Sequence, residues 1–181
     1  MTKWLVVYSS VTGNTKQIAE AMFEVLPTGS NLQPIHETSL DFAAYDVIVV
    51  GYWLTRGGPD PKTMELLPKL RGKKVVLFAT HGALPGSEHA VTSLARAAYL
   101  LGDGCSILGT FTCQGKINPA LLARRVGVAE NDPHAPSEEN KKRWAEAAKH
   151  PDEADFAAAR DFIKKMQRKL DRLIQVNKAG E

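Results

Sequence analysis

At 181 residues, with 44% apolar and 24% charged side chains and a formal net charge of +3, the chain is long enough for one well-buried core and too apolar for disorder. Only the five apolar residues Trp4 to Tyr8 precede Ser9, too few for a secretory core, and no later run approaches a membrane span, so a cytoplasmic protein without a membrane partner is expected. Cys105 and Cys113 fall in one predicted strand, roughly 26 Å apart if extended, too far to pair with each other; no Cys or His spacing suggests a metal site.

Leu5-Val6-Val7-Tyr8 has the composition of a buried strand, and Ile18, Ala21, Met22 and Val25 recur at helical spacing, which makes residues 9–15 a strand-to-helix turn. Backbone N–H groups at a helix start lack intrahelical partners and carry the positive end of the dipole, so such a turn is an anion cradle. Ser10, Thr12 and Thr15 add hydroxyls, and Gly13 lets the backbone approach closely. No P-loop lysine and no G-x-G-x-x-G is present, which points to a terminal phosphate monoester; a Ser/Thr-capped turn without ligand is the alternative.

Pro27 and Gly29 end the first helix. A weak strand over residues 31–37, with polar alternation, suits a sheet edge. Residues 46–53 form a stronger, nearly all-apolar strand, followed by a loop at 54–61 and a short helix over 62–70. Residues 73–80 repeat the pattern, a loop follows at 81–86, and Ser87 is placed to cap a helix ending at Gly102. A fifth strand spans 106–112. The alternation predicts an α/β fold: a doubly wound, five-stranded parallel sheet with helices on both faces, in one domain. Residues 114–152 carry Pro119, Pro133, Pro136 and Pro151 and read as an irregular excursion. Within it Ser137 caps a short helix with Trp144, Ala145 and Ala148 on its less polar side. The last helix, 152–176, places Phe156, Ala159, Ile163, Met166, Leu170 and Leu173 on a core-facing stripe. Its basic face (Lys164, Lys165, Arg168, Lys169, Arg172) reads as a solvated surface, so no nucleic-acid partner is expected.

Strand order 2-1-3-4-5 puts the switch point between strands one and three, and ligands bind there. That rule selects residues 9–15 and 54–60. Trp53, opening the second loop, suggests a planar ring on the ligand, with a core residue at a strand end as the alternative; Gly57-Gly58 permits a peptide flip that would present a carbonyl to a ring N–H, or is only a turn.

Ser10-Val11-Thr12-Gly13-Asn14-Thr15 resembles the T/S-x-T-G-x-T first loop of the flavodoxins and flavodoxin-like proteins. The resemblance implies FMN as cofactor, with Ser9, Ser10, Thr12, Gly13, Asn14 and Thr15 around its phosphate. It places Tyr52, Trp53, Leu54, Arg56, Gly57 and Gly58 against the isoalloxazine. Thr80, His81 and Gly82 would lie along its other edge, and Cys113, at the end of strand five, would contact the flavin or be a small buried hydrophobe. The implied function is electron transfer between a donor reductase and an acceptor protein, the flavin cycling through oxidised, semiquinone and hydroquinone states. The alternative is an FMN-dependent reductase of a quinone or tetrapyrrole, because residues 80–86 offer only His81 to cover the outer flavin face and a basic rim could receive carboxylates; residues 109–116 are also similar to a flavodoxin-like subgroup with members associated with bilin-type tetrapyrrole reduction. A flavin-free binding module on the same scaffold is a third reading. The chain departs from the acidic habit of small flavodoxins in its pI near 8.8.

Overall fold

A computed structural model describes residues 2–35, 41–125, 127–129, 132 and 134–179. Strands β1 (Trp4–Tyr8), β3 (Val47–Thr55), β5 (Lys74–His81) and β6 (Ser106–Gln114) form from the apolar, β-branched runs, and β2 (Asn31–Pro34) forms from the polar one. Parallel pairing gives the order β2-β1-β3-β5-β6, with β2 at an edge. His36 and Glu37, expected in the second strand, lie outside the described residues, as does Pro133.

One addition was not foreseen. The second loop is a hairpin in which β4 (Gly58–Pro59) pairs antiparallel with the end of β3, Leu54 opposite Pro59 and Thr55 opposite Gly58. Its two central residues both have positive φ, Arg56 at 49° and Gly57 at 75°, the left-handed backbone of a two-residue hairpin turn. The Arg96 Nη1 donates to the Arg56 carbonyl at 3.1 Å and fixes the tip.

Strand periodicity sends alternate side chains to opposite faces. Trp4, Val6, Val49 and Phe78 pack with Ile18 and Met22 of α1 (Asn14–Phe23) and Ile163 of α6 (Glu153–Ala179). Leu5, Val7, Ile48, Val50 and Leu77 pack with Leu66 of α2 (Pro61–Leu66) and Ala97 of α3 (Glu88–Tyr99). α3 stops at Tyr99, short of Gly102, and the Ser87 side chain makes no capping bond there. On α6 the stripe holds at Ala159, Ile163 and Leu170, but Leu173 is exposed because the helix outruns the sheet.

The excursion contains α4 (Pro119–Arg125) and α5 (Glu138–Ala147). Ser137 caps α5 as expected, its Oγ accepting from Asn140 N at 3.2 Å. The residue α5 buries is Ala147, whereas Ala145 and Ala148 face solvent. Arg125 stands over the Trp144 ring at 5.7 Å.

Candidate functional site

β1 ends at Tyr8, opposite Gly51, whereas β3 continues to Thr55. The first loop therefore sits in a step of the sheet edge, with the β3–β4 hairpin as its wall. α1 begins at Asn14, earlier than the spacing suggested, so Asn14 and Thr15 are its first turn and Gly13 is the N-cap, at φ 91°. No side chain caps this helix and no acidic residue stands in its first turn. Its leading N–H groups thus keep the unpaired donors and positive dipole end that favour an anion. Ser10 Oγ, at the entrance, is buried without a partner. Thr12 is exposed.

Other members of the loop are already committed. Thr15 is buried, its hydroxyl 2.8 Å from that of Thr80, so it ties α1 to β5. Asn14 Nδ2 donates to the Lys116 carbonyl at 2.8 Å, drawing the start of the excursion over the cradle. Ser9 donates through Oγ to Asp60 Oδ1 at 2.9 Å, and its N–H binds the Gly51 carbonyl.

Asp60 is the residue that sequence reasoning passed over. Its carboxylate, 1% exposed, accepts from Ser9 Oγ, Lys62 N, Thr63 N and Thr63 Oγ1. It caps α2 and links the first loop to the second. Asp-Pro is an N-cap followed by a residue suited to N1, a signal present in the sequence.

Among the expected ring-contact residues, Trp53 and Leu54 are half-buried on the projecting end of β3, and Arg56 is exposed at the turn. Trp53 is the register partner of Thr80. Two expected contacts need correction. Tyr52 is fully buried among Leu5, Val7 and Leu77, its OH 3.1 Å from Ser93 Oγ; burial pushes the phenol up to about 12. It is a core residue on the face of the sheet that α2 and α3 cover. Cys113, 2% exposed, packs in the core facing α1 and α6 and donates to the Gln114 carbonyl. Burial first, then the nearby Asp155, raises its pKa, so the thiol stays protonated. Both cysteines are free.

Gly82 is covered: a Cβ there would lie 2.4 Å from Ile117 Cγ1. His81 is buried, with Nδ1 3.0 Å from the Ala83 carbonyl, and burial lowers its pKa.

The two ends of the excursion are tied together. Lys116 N donates to the His150 carbonyl at 2.9 Å, and His150 Nδ1 meets Asp155 Oδ2 at 2.6 Å. That bond raises the imidazole's pKa above its ordinary 6.5, with Asp152 and Glu146 adding to it. A raised pKa means stabilisation fully present below about pH 6.5 and lost as pH rises through the folded-state value. Wild-type stability should therefore fall by roughly 0.2–1 kcal/mol over that rise. Urea melts should show the slope, and His150→Asn should flatten it.

The profile of the Flavodoxin domain family matches residues 5–164. The flavodoxin-like domain-containing protein BilS of Clostridioides difficile (strain CD3) is 31% identical over 170 residues, 91% of this chain and 96% of that protein. The BilS of Clostridium symbiosum (strain WAL-14163) is 28% identical, covering 89% and 94%. A solved flavoprotein from Lactobacillus acidophilus NCFM, in complex with FMN, shares the fold with a TM-score of 0.50 at 18% identity, covering 62% of this chain and 93% of that one. The chain belongs to the flavodoxin domain family. Among the described residues, no helix is long and apolar enough to cross a membrane.

Proposed function

We propose that the chain is a flavodoxin-type flavoprotein that binds FMN across its first three loops and passes electrons between redox partner proteins of the cytoplasm. The carrying observation is the uncapped start of α1 beside the orphaned Ser10 Oγ. When bound, FMN supplies one- and two-electron transfer. The chain's own part is to hold the phosphate through Ser10, Thr12 and the first-turn N–H groups, and to set Trp53 against the ring.

Replacing Ser10 and Thr12 together with Ala is expected to weaken FMN roughly ten- to hundredfold, the scale of one or two hydrogen bonds to a charged group. Riboflavin, lacking the phosphate, should bind the variant almost as it binds the wild type. Fluorescence titrations check both. Equal losses overturn the phosphate assignment, and a protein that takes up no FMN overturns the function.

A second reading, an FMN-dependent reductase of a quinone or tetrapyrrole, is favoured by one observation. His81, the only aromatic side chain in residues 80–86, is buried at the end of β5, so the third loop offers no aromatic cover for the outer ring face. Steady-state turnover saturating in such an acceptor would support it; turnover that never saturates returns the protein to the carrier reading.

A further inference from the structure

The loops that follow β1, β3, β5 and β6 all lie at one end of the parallel sheet, the end that carries the cradle. Their exposed charges are nearly all of one sign. Arg56 tips the β3–β4 hairpin, Lys62 stands in the first turn of α2 and Lys116 follows β6; all three are exposed. Against them stand Asp60, buried and taken by four donors, and Glu88 at the start of α3. Among the described residues none of the three cations has an ion pair, whereas Lys16, Lys141, Lys149, Arg160 and Lys164 on the helices are each paired with a carboxylate. Local energetics explain neither Arg56 nor Lys62. Among the described residues Arg56 is the only one other than glycine with positive φ, at a turn position that Asn, Asp or Gly fills at less cost. Lys62 lies at the positive end of a helix dipole, which disfavours a cation. Strain and misplaced charge kept at an exposed rim point to function rather than to folding. At the same end of the sheet Val11 of the first loop and Leu84 of the third are 63% and 57% exposed.

We propose that this end of the sheet docks an acidic protein, with Val11 and Leu84 as the apolar contact and Arg56, Lys62 and Lys116 as cations that pair with the partner's carboxylates. Apolar contact combined with a charged rim is the anatomy of a transient protein interface, and arginine is among the residues that carry most of the binding there. Complementary charge speeds the encounter and sets its orientation. Val11 and Leu84 are aliphatic and offer a base no stacking face, which favours a protein over a nucleic acid. Arg96 supports the anchor: its Nη1 holds the Arg56 carbonyl, and its side chain lies along Gly57 and Gly58. Arg56 is therefore presented on a fixed turn, which lowers the ordering cost of docking. That the partner is a redox protein rests on the proposed function; the sign of its surface does not.

The test titrates a plant-type ferredoxin, a small acidic redox protein, into isotope-labelled protein with FMN in excess. Amide signals of residues 11–12, 55–57, 84–86 and 116 should shift or broaden, and affinity should fall at least about fivefold from low to physiological ionic strength. Arg56→Glu should weaken binding roughly tenfold or more. Arg56→Lys should recover most of that loss, because it keeps the charge. Lys69→Glu, the same charge change on an exposed residue ahead of β5, at the opposite end of the sheet, should do little. Equal losses in Arg56→Glu and Lys69→Glu overturn the surface, since net charge alone then accounts for binding. Signals that move elsewhere, or no binding at low salt, overturn it too. So does a stronger response of the same signals to a single-stranded oligonucleotide or to cytochrome c, a basic haem protein. Lys62→Glu makes the same comparison on α2 if the hairpin does not accept glutamate. Flavin uptake is read separately from the visible spectrum. A protein that docks ferredoxin here without taking up FMN keeps this surface and loses the carrier function, whereas one that takes up FMN and does not dock loses this surface alone.

Discussion

Asp60→Ala should destabilise the fold by about 2–4 kcal/mol, read as a lower urea midpoint with an unchanged m-value. The carboxylate is 1% exposed and takes four donors. Alanine removes the cap of α2, worth about 1 kcal/mol alone. It also strands the Ser9 and Thr63 hydroxyls inside, at roughly 1–3 kcal/mol for each group left unpaired. These costs share one site and will not simply add. Water entering the space left by the side chain will recover part of them. Asp60→Asn keeps an acceptor for the α2 amides, and Thr63 Oγ1 can turn to accept from the new amide, so its loss should be nearer 1 kcal/mol. FMN affinity should fall in Asp60→Ala as well, because Ser9 loses the partner that holds the first loop against the second. An Ala variant within 0.5 kcal/mol of wild type would show that the two loops are positioned independently of this carboxylate.

How far the site could be read from sequence depended on whether a signal was local. The strand–turn–helix at residues 4–25 carries its own periodicity and turn chemistry, and the alternation of apolar runs dictates the parallel order with its switch point. Tyr52 failed on parity: it lies in the strand read over residues 46–53, where one position along β3 separates a side chain in the core from Trp53 on the opposite face. The hairpin at Arg56-Gly57 failed for a related reason. Arg at a positive-φ position is a poor signal on its own, and Arg96, forty positions away, holds it there. The Asn14–Lys116 and Thr15–Thr80 contacts join residues distant in sequence, so only the assembled sheet brings them together. Cys113 lay at the expected end of its strand but on the face that α1 and α6 cover.

Gly51→Ala should be at least as damaging as the conservative Asp60 change, at about 2–3 kcal/mol, although it adds a single methyl group. The added Cβ would lie 2.0 Å from Phe78 Cζ and 2.4 and 2.6 Å from the two ε carbons, far inside van der Waals contact. Neither partner has freedom to yield. Gly51 is pinned by the ladder on both sides, to Tyr8 of β1 and to Phe78 of β5, and its carbonyl also accepts from Ser9 N at 2.9 Å. Phe78 is fully buried, between the sheet and the packing of α1 and α6. Replacing a strand glycine would otherwise favour the folded state by roughly 0.5–1 kcal/mol, through the unfolded chain's lost freedom, so the clash must exceed that gain for the loss to be seen. Phe78→Leu trims the ring and should cost the wild type about 3 kcal/mol or less, while in the Gly51→Ala background it should cost little or raise stability. The double-mutant cycle measures that coupling, expected at 1 kcal/mol or more, roughly. Independent, additive effects would mean that the backbone shifts to accept the methyl. In that case Tyr52 and Trp53, the next two residues of β3, would shift with it, and the change should appear in flavin affinity rather than in stability.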